Sequence, residues 1–511
     1  MKITFVALGC EQLPVSLLAA IARREGHQVG LAFSASLFND RFNFHLPRLA
    51  SIFDDRDDVL RTIEEQKPDV LAFSALTNTY TWMLSVAREA KARAPHIKTV
   101  FGGVHPSAVP ELVLTDDVVD YVCVGEGDIA FTELLRALDQ GGPAGAIDNI
   151  LYRGPDGAVV RGAQSGFIQD LDSLPFFDKE LWEDHIRVGD FYMTMASRGC
   201  PYRCTFCFNN FFARLPDAKN GKYVRQRSVA HMLGELRDAK RRYRLRYVKF
   251  EDDIFTVNKP WLHDFLAAYK REIAVPFSCL VHPRYIDDDV ARWLNEAGCQ
   301  WVQMGIQSVN DEFKFKTLKR YEKTDSVSSA IDTLRKHRVK LKTDHIFGLP
   351  GDPPDAQEEA RALYVAQTPQ RIGTYWATYF PGTEMVEQGR ALGLIDDNDI
   401  AAINSGDMGL FHANSDSAES ERFRGYDLLF RMLPLLPRPL RAHVAPSLVA
   451  RLPRVVTGAI GFAADLINGA LTLSQDHIAY ARHYSYWLRR MALRSVGLPT
   501  RPATVIRDTT R

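Results

Sequence analysis

The sequence is short of the features that mark secreted or nucleic-acid-binding chains. Its 511 residues hold seven cysteines, an odd number spread over a long chain. That argues against a disulfide scaffold and fits a reducing compartment. Net charge is also lacking: Lys+Arg and Asp+Glu both number 63, so no global field draws the chain to nucleic acid. The opening MKITFVALGCEQ carries one Lys and an apolar run too short for a signal peptide, so a cytoplasmic location is expected. No GxGxxG follows the first apolar strand, which reads Gly9-Cys10-Glu11-Gln12, and a dinucleotide is disfavoured. What is present is 46% apolar and 25% charged residues, the balance of a folded soluble protein with two to four domains.

Even balance conceals an asymmetry. Residues Arg422–Arg511 contain fourteen Arg, no Lys and four acids, a net of +10, so the first 421 residues carry −10. The C-terminal ninety residues present a different surface from the rest.

Residues 1–140 alternate buried apolar runs (Ile3–Leu8, Val70–Phe73, Thr99–Phe101, Tyr121–Val124) with helical patterns (Val15–Glu25, Asp57–Gln66, Tyr80–Ala94). Such alternation predicts an α/β domain with a doubly wound, Rossmann-like parallel sheet, whose ligands bind beyond the carboxyl ends of the strands. Three of those ends run into Ser74-Ala75-Leu76-Thr77, Gly102-Gly103-Val104-His105-Pro106 and Gly125-Glu126-Gly127-Asp128. Glycine there lets backbone approach a ligand closely. Three such loops on one edge point to a large planar or phosphate-bearing ligand. Residues 141–190 are linker-like, with a small hairpin at Gly154-Pro155-Asp156-Gly157. Residues 191–395 carry six further strand–helix units, beginning at Tyr192, Tyr247, Phe277, Trp301, Lys340 and Thr374. They make a partial (β/α)6 TIM-like barrel with chemistry at its carboxyl edge. Residues 396–511 are helical and rich in Arg and Pro.

The decisive segment is Ser197-Arg198-Gly199-Cys200-Pro201-Tyr202-Arg203-Cys204-Thr205-Phe206-Cys207, directly after the first barrel strand. Three thiols in a loop broken by Gly and Pro can converge on one soft metal centre. A structural zinc site wants a fourth ligand, and the other cysteines (Cys10, Cys123, Cys279, Cys299) are scattered singles. Three ligands to a four-iron cluster leave one iron open for a small molecule.

The CxxxCxxC motif resembles the signature of the radical S-adenosylmethionine (SAM) superfamily, over residues 190–390. The resemblance implies that Cys200, Cys204 and Cys207 hold a [4Fe–4S] cluster whose fourth iron is chelated by SAM, with Phe206 near the adenine. It places Glu251, Asp252 and Asp253 near the SAM ammonium. Gln307 and Ser308 stand in a segment similar to a GIES motif whose Glu contacts the ribose; an amide can hydrogen-bond the same hydroxyl. Phe347–Asp352 and Tyr379–Thr383 resemble the usual ends of the fifth and sixth strands. Beside this, the N-terminal loops resemble those of the cobalamin-binding domain fused to one radical SAM class. That implies cobalamin contacts at Ser74 and Thr77, at Gly102, Gly103 and His105, and at Gly125, Glu126 and Gly127. No DxHxxG follows the first strand, so ligation of cobalt by His from below is not expected.

The implied chemistry is reductive cleavage of SAM to a 5′-deoxyadenosyl radical, hydrogen abstraction from an unactivated carbon, and C-methylation of an apolar substrate such as a lipid, terpenoid or tetrapyrrole. An electron donor such as flavodoxin or ferredoxin is implied as a partner. Ring closure, ring contraction or oxidation without methyl transfer is the alternative within the family. An iron–sulfur electron-transfer or regulatory protein with a cofactor-free N-terminal scaffold is the alternative outside it. Finally, Val455–Leu473 has a single charge, Asp465, in nineteen residues. It is expected as a buried helix lining the substrate cavity, with the Arg-rich stretches beside it forming a lid or an interfacial helix. Peripheral membrane contact through this region is left open.

Overall fold

The structure, a computed structural model, describes residues 1–40, 44–215, 221–407 and 418–495. The N-terminal sheet is built from β1 (Lys2–Leu8), β2 (Gln28–Ser34), β3 (Val70–Ser74), β4 (Lys98–Gly102), β5 (Tyr121–Cys123), β6 (Ile150–Arg153) and β7 (Val159–Arg161). Their order is β2-β1-β3-β4-β5-β6-β7. The first five run parallel, and the β6–β7 hairpin adds antiparallel at one edge. The chain passes from β1 to β2 on one side and then to β3 on the other, which opens a crevice at their carboxyl ends. The edge strand β2 is absent from the sequence reading. Its Gly30 interrupts the apolar pattern and leaves room for Gln66, whose side chain occupies the space a Cβ would take.

The second sheet is a six-stranded partial barrel of β8 (Tyr192–Thr194), β11 (Val248–Phe250), β12 (Phe277–Val281), β13 (Cys299–Gln307), β14 (Lys340–Phe347) and β15 (Arg371–Trp376), paired in that order and all parallel. A short ribbon, β9 (Ser197–Arg198) with β10 (Arg225–Gln226), is inserted after β8. Each barrel strand alternates by period two. On β13 the residues Val302, Met304 and Ile306 are fully buried outward, under the surrounding helices, while Gln303, Gly305 and Gln307 face the interior. The apolar core therefore lies between barrel and helices, and the barrel's inside is polar.

A buried junction fixes the two sheets together. Lys179, in the segment between them, forms an ion pair with Glu11 from the loop after β1. Its ammonium also donates to the Met193 carbonyl of β8 (2.6 Å). Trp182, fully buried, donates its indole N–H to Ser16 Oγ (2.8 Å).

The C-terminal helices do not form the expected lid. Helix α1 (Ala418–Met432) covers the outer face of β14 and β15, setting Phe423 and Phe430 against Phe347. Helix α2 (Arg454–Thr472) and helix α3 (Gln475–Ser495) meet at the amino ends of the barrel strands. There Lys340 donates to the Thr472 carbonyl (2.8 Å), Asn468 to the Gln370 carbonyl (3.0 Å), and Asp476 enters the barrel beside Lys249 (3.9 Å). Although burial pushes the Asp476 carboxyl up, the cations Lys249, Lys342 and Arg371 hold it below its usual range. The remaining cavity there is about 20 Å³, room for about one water. The two helices and this charged cluster thus cover the amino end of the barrel. Nor is α2 buried: Val455 is 84% and Leu471 74% exposed. The expectation of a cavity-lining helix fails because the inner face of α2 is made of Gly461, Ala464, Asp465 and Asn468, with its large apolar side chains outward.

Replacing Lys179 with Met leaves Glu11 buried without its cation. A loss of about 3–5 kcal/mol is expected, read as a lower denaturant midpoint, and a change near zero would show that the junction carries no weight.

Candidate functional site

The three cysteines lie at the carboxyl end of β8, where the ribbon begins. Gly199 adopts φ +84°, and a Cβ there would sit 2.5 Å from the Tyr223 carbonyl oxygen, so only glycine fits. The Cys207 amide donates to the Cys204 carbonyl (3.1 Å), and the Asn210 side chain ties the Arg203 carbonyl (3.0 Å) to Glu384 (3.1 Å). Asp252, fully buried, receives the Ala196 amide (3.0 and 3.1 Å) and the Ser197 hydroxyl. It thus anchors the start of the loop. Burial raises its carboxyl to about 6.

Burial pushes the Cys200 thiol up to about 12 and the Cys207 thiol to about 11, the neighbouring thiols adding to both, and Cys204 is raised as well. The three groups lie in one another's field and keep their protons until a cation replaces them. Among the described residues, no three His, Cys, Asp or Glu side chains are gathered to hold one ion. A donor set of three sulfurs with no fourth partner, spread over one loop, suits the separate irons of a cluster.

Arg320 is a residue that sequence reasoning missed. Buried, it brings Nη1 to 4.0 Å from Cys204 Sγ, while Nη2 donates to the Gly305 carbonyl (2.9 Å) and Nε to Glu322 (2.7 Å). Burial pushes the Glu322 carboxyl up, but the hydrogen bond from His282 and the Arg320 charge outweigh it and hold it at about 2. His282 stacks on Tyr202 of the cysteine loop at 4.2 Å. A fixed cation beside one thiolate stabilises the ligand form. Its only signal in the sequence is an Arg-x-Glu after a helix, which carries no periodicity.

The other expected residues separate into those near the loop and those spent elsewhere. Gln307 stands at φ +66° after a bulge in β13. Its amide lies over Gly305, and its buried Oε1 has no hydrogen-bond partner. A strained residue holding an orphaned acceptor suits a ligand hydroxyl. Phe206 packs on the cluster formed by Phe313, Leu318 and Tyr379. Asp253 accepts from Asn209 (2.8 Å), whose amide also lies 3.8 Å from Cys207 Sγ. Glu251 pairs with Lys249 inside the barrel (2.7 Å). Ser308 turns to cap its own loop at Asn310.

On the N-terminal sheet, the loops after β3, β4 and β5 form one edge. Gly103, at φ +98°, lies so close to Ala75 that a Cβ would stand 2.8 Å from both its N and O. Gly102 and Gly127 meet only ordinary contacts, and Gly125 adopts φ +82°. Ser107 links two loops, donating to the Gly103 carbonyl (2.7 Å) and accepting the Gly125 amide (2.9 Å). Ser74 ends β3, half-buried. His105 is fully buried against Tyr80, its Nδ1 3.3 Å from Thr77 Oγ1 and its Nε2 without a partner. Burial lowers it to about 4, so it stays neutral.

The two edges face each other. Arg198 and Arg225 are opposite one another on the β9–β10 ribbon, a repulsive placement by itself. Carboxylates from the other domain lie between them. Asp128 takes both Arg198 nitrogens (2.7 and 3.0 Å), and Glu126 takes both from Arg225 (2.9 and 2.7 Å) and one from Arg198 (3.2 Å). The Glu126 carboxylate is therefore committed to this clamp. Leu215 lies 3.7 Å from the Cβ position of Gly125, and Ala108 lies 3.4 Å from that of Gly382. The segments that follow the cysteine loop thus pack directly against the loops of the N-terminal sheet.

Comparison with known proteins agrees with this geometry. The B12 binding domain family model matches residues 6–135, and the Radical SAM superfamily model matches residues 195–363. The chain is a radical SAM enzyme of the class that carries a B12-binding domain, and its cofactors are a [4Fe–4S] cluster, SAM and cobalamin. An uncharacterized methyltransferase of Pyrococcus horikoshii is 27% identical over 391 residues, 74% of this chain and 82% of the relative. The anaerobic magnesium-protoporphyrin IX monomethyl ester cyclase of Rubrivivax gelatinosus is 24% identical over 336 residues, 64% of this chain but only 59% of its own length. The cobalamin-dependent SAM radical enzyme OxsB, solved with aqua-cobalamin and SAM bound, superposes with a TM-score of 0.63 at 13% identity, covering 97% of this chain and 80% of that one. That last likeness is one of fold.

Two outcomes follow. Asp252→Ala strands the Ala196 amide and Ser197 hydroxyl at a cost of about 1–3 kcal/mol, lowering the melting temperature and the iron bound per chain; full iron content would show the loop is held otherwise. Because the thiol pKa values are raised, the ligand form grows with pH. Cluster reconstitution into apoprotein should accelerate by up to about tenfold per pH unit for each thiol that must ionise first, and a rate flat in pH would contradict buried, protonated thiols.

Proposed function

We propose that this enzyme transfers a methyl group to an unactivated carbon of an apolar substrate such as a lipid, terpenoid or tetrapyrrole. The observation that carries this reading is the pair of Arg198–Asp128 and Arg225–Glu126 forks, which hold the ribbon of the cysteine loop against the glycine loops of the N-terminal sheet. Together the bound cofactors supply a hydrogen-abstracting radical and a transferable methyl group.

The chain's own part is binding, orientation and exclusion of water. Cys200, Cys204 and Cys207 would hold the cluster, with Arg320 stabilising the Cys204 thiolate at 4.0 Å. Gln307 Oε1 would accept a ribose hydroxyl, and Phe206 would pack beside the adenine. Gly103 and Gly125 keep the opposite edge low enough for a flat cofactor. Neutral His105 with Thr77 supports that edge from below. The ion pairs of Lys249 with Glu251 and Asp476 cover the amino end of the barrel. An apolar substrate is supported by the aromatic side chains that follow the last cysteine: Phe208 lies 5.0 Å from Phe380, and Phe211 lies 5.4 Å from Phe212.

A second outcome, ring closure or oxidation without methyl transfer, is favoured by the likeness to the Rubrivivax cyclase. Anaerobic turnover with SAM labelled by a deuterated methyl group, in an extract of apolar metabolites, separates the two. A product carrying the intact labelled methyl is expected. Formation of 5′-deoxyadenosine with an altered but unlabelled product would replace methylation with the second outcome.

A further inference from the structure

Helix α2 is amphipathic the wrong way round for a soluble protein. A surface helix normally turns its apolar stripe to the core. Here the inward face is small and polar: Gly461 against Arg431, Asp465 paired with Arg431 (2.9 Å), and Asn468 donating to the Gln370 carbonyl. Outward stand Val455 (84% exposed), Leu466 (51%), Ile467 (52%) and Leu471 (74%), with Leu473 following. The preceding segment adds exposed Leu440, Leu448 and Leu452. Soluble monomers rarely leave so continuous an apolar patch open.

Charge identifies what covers it. Between Leu428 and Ala464 the sequence has five arginines and no Asp, Glu or Lys. Arg438 and Arg451 are exposed, while Arg454 pairs with Glu421 (3.5 Å) and Arg431 with Asp427 and Asp465. Exposed apolar side chains with the guanidiniums of Arg438 and Arg451 in the adjoining segment match the acyl boundary and phosphate layer of an anionic leaflet. The helix is long and apolar enough to span a bilayer by composition. Asp465 and Asn468 nevertheless bind its inner face to the barrel, and at about 28 Å it lies along the barrel's amino end. We propose that the outward face of α2, with Leu440, Leu448 and Leu452, docks this enzyme in the plane of an anionic lipid bilayer. The surface lies at the barrel end opposite the cysteine loop, so docking leaves the cofactor edges open. This inference is independent of the methyl-transfer reading.

The test is flotation of the full-length, cofactor-loaded protein with vesicles of phosphatidylcholine mixed with phosphatidylglycerol, and of phosphatidylcholine alone. Binding to the mixed vesicles is expected, weaker by about tenfold or more on neutral vesicles and at high salt. The double substitution Leu466→Glu and Leu471→Glu should abolish it with an unchanged melting temperature. Should that variant not fold, Arg438→Ser with Arg451→Ser, both at exposed positions, should weaken binding to anionic vesicles by a similar factor. Protein that stays unbound with anionic vesicles, or variants that bind as the parent does, would overturn the proposal. So would sedimentation showing a dimer that the glutamates dissociate while neither form binds vesicles; the occupant would then be a second copy.

Discussion

Two guanidiniums held opposite each other on a two-stranded ribbon can stand there only if negative charge is brought between them. Arg198 and Arg225 meet that condition by drawing Glu126 and Asp128 from the other domain. The ribbon begins three residues before Cys200, and Glu126 follows Gly125 directly, capping the helix that carries Asp128. One electrostatic requirement therefore holds the cysteine-loop edge against the glycine-loop edge. Bidentate forks fix orientation as well as separation, and partial burial shields them from salt more than an open surface pair would be. A second buried pair, Lys179–Glu11, ties the same carboxyl edge, after β1, to the first barrel strand.

Around the cysteines the protein spends charge economically. The thiols are buried, which raises their pKa values and keeps them neutral. Arg320, made immobile by Glu322 and the Gly305 carbonyl, supplies a full positive charge 4.0 Å from Cys204 Sγ. Asp252 then has a structural task, receiving the backbone that leads into the loop. The acids that the motif brings to the end of β11 thus divide their labour: Glu251 to Lys249, Asp252 to the loop and Asp253 to Asn209.

The six barrel strands and the parallel N-terminal sheet were legible because period-two apolar runs, glycine turns and helical stripes recur in order. The cysteine triad was legible because its spacing is local. What escaped depends on contacts distant in sequence. Arg225 meets Glu126 across 99 positions, and nothing beside either residue announces the other. Arg320 reaches Cys204 across 116. The apolar run at 455–473 was visible, but hydropathy alone does not say which face turns inward; Asp465 and Asn468 decide that through Arg431 and Gln370. Strand β2 was hidden by Gly30, whose purpose is to admit Gln66.

The central claim is that the ion-pair clamp holds the two cofactors within reach of one substrate. It is tested most directly by electron paramagnetic resonance of the anaerobically loaded protein, with cob(II)alamin and the reduced cluster both present. The account predicts spin–spin broadening of the cobalt signal by the cluster, lost in the Arg198→Met, Arg225→Met variant while both cofactors remain bound. A cobalt signal in the parent protein that ignores the reduced cluster would contradict it.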